Sequence, residues 1–144
     1  MSTRSYPAGL DCVWLAADRE GHVGAFVTAG VGPIPLDALR EDRLSVEELE
    51  DRVLELPPVS GVELQVSVPR PDSFLRLAER GLFVYDWRDV HRVWWGKRGV
   101  YEIVAVPTQP LERRSLPPDL AAMVDALLLE ELRFSARAKV DVRR

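Results

Sequence analysis

Two stretches, residues 10–16 and 23–28, are apolar at nearly every position. Such runs predict strands covered on both faces. Between them, Asp18-Arg19-Glu20-Gly21 predicts a hairpin turn, with Gly21 placed to take a positive φ. Residues 29–35 read as a loop, because Gly30, Gly32, Pro33 and Pro35 sustain neither strand nor helix.

The period then changes. Ser45-Val46-Glu47-Glu48 reads as a capping box, with Ser45 at the N-cap and Glu48 reaching back to it. Val46, Leu49, Val53 and Leu56 form one apolar stripe, and Pro57-Pro58 ends the helix. A shorter helical turn is expected at 36–40. Val62, Leu64, Val66 and Val68 alternate with polar residues, which predicts a half-buried strand ended by Pro69. Residues 71–80 predict a short helix burying Phe74, Leu77 and Ala78, closed by Gly81 as its left-handed residue. Residues 82–87 and 100–106 read as strands, 90–95 as a strand or loop, and 96–99 as a turn. Pro118 opens a helix whose expected buried face is Leu120, Met123, Val124, Leu127 and Leu128. From Phe134 onward apolar and charged residues alternate, the pattern of an edge strand or a frayed tail. The order ββα-β-α-ββ-α-β predicts an α+β class: a single domain over residues 1–144, with a mainly antiparallel sheet of five to seven strands packed by about three helices.

Charge narrows the function classes. A net charge of −4 carries no overall basic footprint for nucleic acid. No apolar run reaches the ~20 residues of a membrane span, and residues 1–12 lack the apolar core of a secretory signal. A single cysteine permits no internal disulfide. The expectation is a cytoplasmic protein that neither enters a membrane nor binds nucleic acid. The charge is uneven, however. Residues 36–56 hold eight acidic and three basic side chains, whereas 87–99 hold four basic and one acidic. The ordinary explanation of each run is a solvated face.

No catalytic set stands out. Cys12 alternates with Leu10 and Trp14, the pattern of a small core residue rather than a thiolate nucleophile. His22 and His91 are the only histidines and show no metal-ligand spacing. Asp86, Asp89 and His91 form the densest acid–base cluster, but they read better as turn residues paired with Arg88 and Arg92. Gly30-Val31-Gly32-Pro33 lacks the lysine and hydroxyl of a phosphate loop. Trp87, Trp94 and Trp95 among four basic residues match the composition of protein-interface hot spots, and one of Trp94 and Trp95 should face outward on a strand. Catalytic residues, cofactor and metal are therefore all expected to be absent.

The runs WLAADREGHVGAFVTAGVGPIP, GLFVYDW, YEIVAVPTQPL and LPPDLAAMV resemble a group of small bacterial proteins of toxin–immunity and secreted-effector loci. The resemblance implies an intracellular antitoxin-like binder that covers the active site of a cognate toxin. The residues expected to meet that partner are Glu47, Glu48, Glu50 and Asp51 on the acidic helix, with Trp87, His91, Arg92, Trp94 and Trp95 in the basic, aromatic stretch. A regulatory domain binding a small molecule near Trp14 and the 29–35 loop is the alternative; a hydrolase or transferase with a scattered site comes third.

Overall fold

The turn at 18–21 forms as its residues demand: Gly21 takes φ 79°, and its N–H donates to the Asp18 carbonyl at 3.1 Å. It joins β1 (Val13–Asp18) to β2 (Val23–Val27) in an antiparallel hairpin with Val13 opposite Val27. The computed structural model describes residues 2–93 and 96–142, and only the backbone of 89–93 and 96–98. The remaining elements are α1 (Val46–Leu54), β3 (Val62–Leu64), α2 (Asp72–Glu79), β4 (Phe83–Val93), β5 (Gly96–Pro107), α3 (Pro118–Asp125), β6 (Leu128–Leu129) and β7 (Lys139–Val140). They build the expected α+β architecture.

Among the described residues, seven strands make one mixed sheet in the order β3-β5-β4-β2-β1-β6, with β7 also pairing β5. Four ladders are antiparallel; β2 with β4 and β1 with β6 run parallel. The parallel β2–β4 pair needs a crossover, and α1, β3 and α2 lie in that connection. Both faces are covered, which explains the unbroken apolar runs. One face is aliphatic: Val13, Leu15, Ala17, Val23, Ala25 and Val84 meet Leu49 and Val53 of α1, Leu77 of α2 and Leu120, Met123 and Val124 of α3. The other is aromatic: Trp14, Phe26, Phe83, Tyr85 and Tyr101 lie under Ile34, Leu39, Leu127, Phe134 and Val140. Odd and even residues of β1 and β2 therefore serve different cores.

Several local expectations are corrected. Ser45 does stand at the N-cap of α1, but its side chain makes no capping hydrogen bond; the Ser45 carbonyl accepts the Glu48 N–H at 3.1 Å instead. The valine alternation at 62–68 yields only three strand residues, because β3 sits at the sheet edge and Leu64 is exposed. The separate strand, loop and turn expected across 82–99 are one long hairpin: β4 runs to Val93, and residues 96–99 belong to β5, paired with 89–93. Helix α3 stops at Asp125, and Leu128 lies exposed in β6 rather than on a buried helix face. The C-terminal alternation becomes a 3-10 turn, Phe134–Ala136, and the two-residue β7, with Phe134 and Val140 buried.

Candidate functional site

One end of the sheet gathers acid. The register sets Asp86 beside Val27, and Val27 opposite Val13, so Asp86 and the residues before β1 share an end with the 28–35 loop. Asp11 holds that loop: its Oδ1 accepts the Ala29 N–H at 2.9 Å, while Ala29 sits at φ 53° and Gly30 at 85°. A left-handed alanine costs roughly 1–2 kcal/mol, so the loop stores some strain at this end. The loop amides are used internally: Val31 and Gly32 both donate to the Thr28 carbonyl, and Gly30 to Thr28 Oγ1. They are not available as a phosphate cradle. Gly32 also allows a close approach; a side chain there would strike the Tyr101 hydroxyl and Trp87 Cβ.

Helix α1 brings its carboxylates to the same end. Glu47, Glu48 and Asp51 are exposed, as the outward face requires. Glu50 departs from expectation, because it is half-buried. Burial pushes its carboxyl up, Asp11 and Asp51 push it further, and Arg76 opposes them. The Asp86 carboxyl is raised to about 6, mainly by burial, with Asp11 adding to the rise; Arg88 and a hydrogen bond to the Trp87 backbone pull it down. Cys12 lies beside this group, and its thiol is raised by burial first and then by Glu47, Asp11 and Glu50. A thiol held protonated is a poor nucleophile. His22 cannot assist it, because it lies at the opposite end of the hairpin, beyond Asp18. Among the described residues, none of Asp11, Glu47, Glu48, Glu50, Asp51 and Asp86 has an ion-pair partner within 4.0 Å.

Next to the acidic end rises the β4–β5 hairpin. Its pairing with β2 ends at Asp86 and its pairing with β7 at Tyr101, so among the described residues 87–93 and 96–100 pair only within the hairpin. Trp87 at its root is half-buried, edge-on to Tyr101 at 5.2 Å and lying over Gly99. Arg88 reaches toward Glu102 at 3.9 Å, and among the described residues its buried Nε finds no hydrogen-bond partner. Asp86, Asp89 and His91 are strand residues, not turn residues, because the hairpin continues through them. In the backbone register His91 stands opposite Arg98 and Arg92 opposite Lys97. Trp94 and Trp95 lie outside the described residues.

The structure thus brings Glu47, Glu50 and Asp51 together with two residues that sequence reasoning did not select, Asp11 and Asp86. Trp87, His91 and Arg92 belong to the adjoining arm. In the sequence Asp86 belongs only to an acid–base cluster; its membership here comes from the β2–β4 crossover. A consequence is measurable. The folded carboxyl at about 6 binds its proton more tightly than the unfolded chain's ordinary 3.8. Stability from this group is fully present below that ordinary value and is lost as pH rises through about 6. Asp86→Asn should therefore raise stability at neutral pH by about 1 kcal/mol, a figure discounted for its partial exposure. The gain should vanish near pH 4. Urea unfolding across that range tests it, and an equal gain at both ends would contradict the acidic-site geometry.

No helix among the described residues is long and apolar enough to cross a membrane. No protein-family model, curated protein or solved structure matches the chain.

Proposed function

We propose that this protein is an intracellular protein-binding module of the immunity type, which inhibits a cognate bacterial toxin by covering its active site. The observation that carries this reading is a group of half-buried carboxylates, Glu50 and Asp86, set among Asp11, Glu47 and Asp51, with Arg76 and Arg88 acting on them only from beyond ion-pair distance among the described residues. Such a group is held at a cost that a cationic partner relieves. The exposed Glu47, Glu48 and Asp51 steer the encounter, and the β4–β5 arm, whose sequence holds four basic residues and three tryptophans between 87 and 99, offers a second contact. Active sites that handle anionic substrates are commonly cationic, which matches the acidic end. Among the described residues, the raised Cys12 thiol and His22 lie at opposite ends of the β1–β2 hairpin.

The test is binding kinetics against the product of the adjacent gene, at low and high salt. Reversing Glu47, Glu48 and Asp51 to lysine should slow association by about tenfold at low ionic strength, with most of the difference screened at high salt. Association unchanged by the triple variant would move the interface elsewhere. Failure of the neighbour to bind the parent chain would remove the reading's main support.

One observation favours the second reading. A cavity of about 580 Å³ lies beside Trp14 and Pro35, walled by Leu127, Leu129, Leu132 and Val140. Its size suits a small organic ligand, and Glu130, Glu131 and Asp141 add carboxylates to the apolar part of the lining. Native mass spectrometry of the protein as isolated distinguishes the two: a bound metabolite favours a regulatory ligand domain, a co-purifying protein favours immunity.

A further inference from the structure

The far end of the β1–β2 hairpin carries a second polar cluster, remote from the acidic end. Asp18, Glu20 and His22 alternate across the turn, and one ligand atom from each lies within 4.8 Å of the others. Asp18 is the fixed member. Its side chain is fully buried, its Oδ1 accepts the Glu20 and His22 N–H groups at 2.9 Å each, and its Oδ2 accepts the Phe134 N–H at 2.8 Å. Three bonds occupy three of about four acceptor positions, so Oδ2 keeps one free. His22 is the unexplained member. Its Nδ1 is buried without a hydrogen-bond partner and stands 3.9 Å from Asp18 Oδ2. Its ring is held by stacking on Phe83 at 5.6 Å. A buried imidazole nitrogen normally has a partner, and here no described protein group supplies one. Glu20 is exposed and free to swing onto the same point.

We propose that Asp18, Glu20 and His22 form a binding site for a first-row divalent transition cation of the zinc or manganese class. One imidazole nitrogen and two carboxylates suit such a cation, whereas calcium and magnesium prefer oxygen alone. Ligand bonds of about 2.0–2.2 Å to Asp18 and His22 bring the two atoms together from their present separation with little movement. The backbone donors to Asp18 orient it as outer-shell partners orient a metal carboxylate. Asp18 and Glu20 border a cavity of about 480 Å³ that Arg19, Arg113 and Glu130 also line, which leaves a bound cation room for water or an anionic ligand. Arg113 is engaged by Asp125 at 2.9 Å, which moderates its repulsion of a cation.

The test uses the whole chain, washed with chelator and titrated with zinc chloride by calorimetry, with manganese and calcium chlorides in parallel. One-to-one zinc binding and a raised melting temperature are expected, with calcium weaker by about a hundredfold or more. Glu20→Gln and His22→Gln should each weaken zinc by about tenfold or more, whereas His91→Gln should not. Asp18 is left intact, because it holds the turn. Should His22→Gln fold poorly, the imidazole nitrogen spectrum of the parent replaces it: zinc should shift the His22 Nδ1 resonance. Absence of binding at about 1 mM zinc, or equal binding by Glu20→Gln and the parent, or zinc shifting His91 in place of His22, would overturn the proposal.

Discussion

Replacing Phe26 by alanine is expected to cost about 3–5 kcal/mol, a large share of the ~5–15 kcal/mol that holds a domain together. Phe26 is fully buried at the centre of the aromatic face. It stacks on Trp14 at 4.2 Å and on Tyr85 at 5.0 Å, and meets Tyr101 and Phe134 edge-on at 5.3 and 5.9 Å. These rings come from β1, β2, β4, β5 and the C-terminal segment, so one truncation opens a void among five parts of the chain. Neighbouring Gly24 leaves no help, because the Phe134 ring already fills the space its side chain would take. A drop in melting temperature of about 10 °C or more should follow, and Phe26→Leu should lose markedly less. A loss below about 1.5 kcal/mol for the alanine variant would mean that the aromatic face is not a close-packed core.

That two-faced core was legible in outline. The apolar runs of β1 and β2 said that both faces are covered, and Gly21 marked the turn that forms. The parity of Trp14 and Phe26 against Leu15 and Ala25 already separated aromatic from aliphatic positions. What covers the aromatic face was not legible, because the 29–39 loop and the C-terminal segment have no regular period; their buried residues are spaced by turns. The long hairpin was misread for a related reason. Gly96 and Gly99 are turn residues by local preference, yet Gly99 is a strand residue because Trp87 needs the space above it. Tertiary packing overrides propensity there.

The acidic site divides in the same way. Glu47, Glu48 and Asp51 were readable from helical period alone, since α1 buries Val46, Leu49 and Val53. Asp11 and Asp86 were not, because they are 75 residues apart and meet only through the β1–β2–β4 register. Local spacing likewise hid the cluster at the other end. Asp18, Glu20 and His22 sit at a spacing ordinary for a strand and turn, and only the reversal of the chain at Gly21 converges them.

Asp18 is also the point where the hairpin and the C-terminal segment are joined, and its replacement by asparagine should cost about 2–4 kcal/mol. The choice of asparagine separates two explanations. If Asp18 served only as a turn former, asparagine would serve as well, since both residues stabilise turns through their side-chain oxygen. The observed bonding requires more. Both carboxylate oxygens accept backbone N–H groups, Oδ1 from Glu20 and His22 and Oδ2 from Phe134. An amide offers one acceptor and one donor, so either the turn or the Phe134 N–H must face an N–H group. The turn amides are local and keep the oxygen; the long-range bond to Phe134 is the one lost. Phe134 carries the buried ring against Phe26, Phe83 and Tyr85, so the loosened amide weakens the cover of the aromatic face. Urea unfolding should therefore show the loss in stability, and hydrogen exchange should show faster exchange at the Phe134 amide while the β1–β2 ladder keeps its order of protection. An Asp18→Asn variant as stable as the parent, with Phe134 still protected, would show that the charge and second oxygen of Asp18 do not hold the C-terminal segment to the sheet.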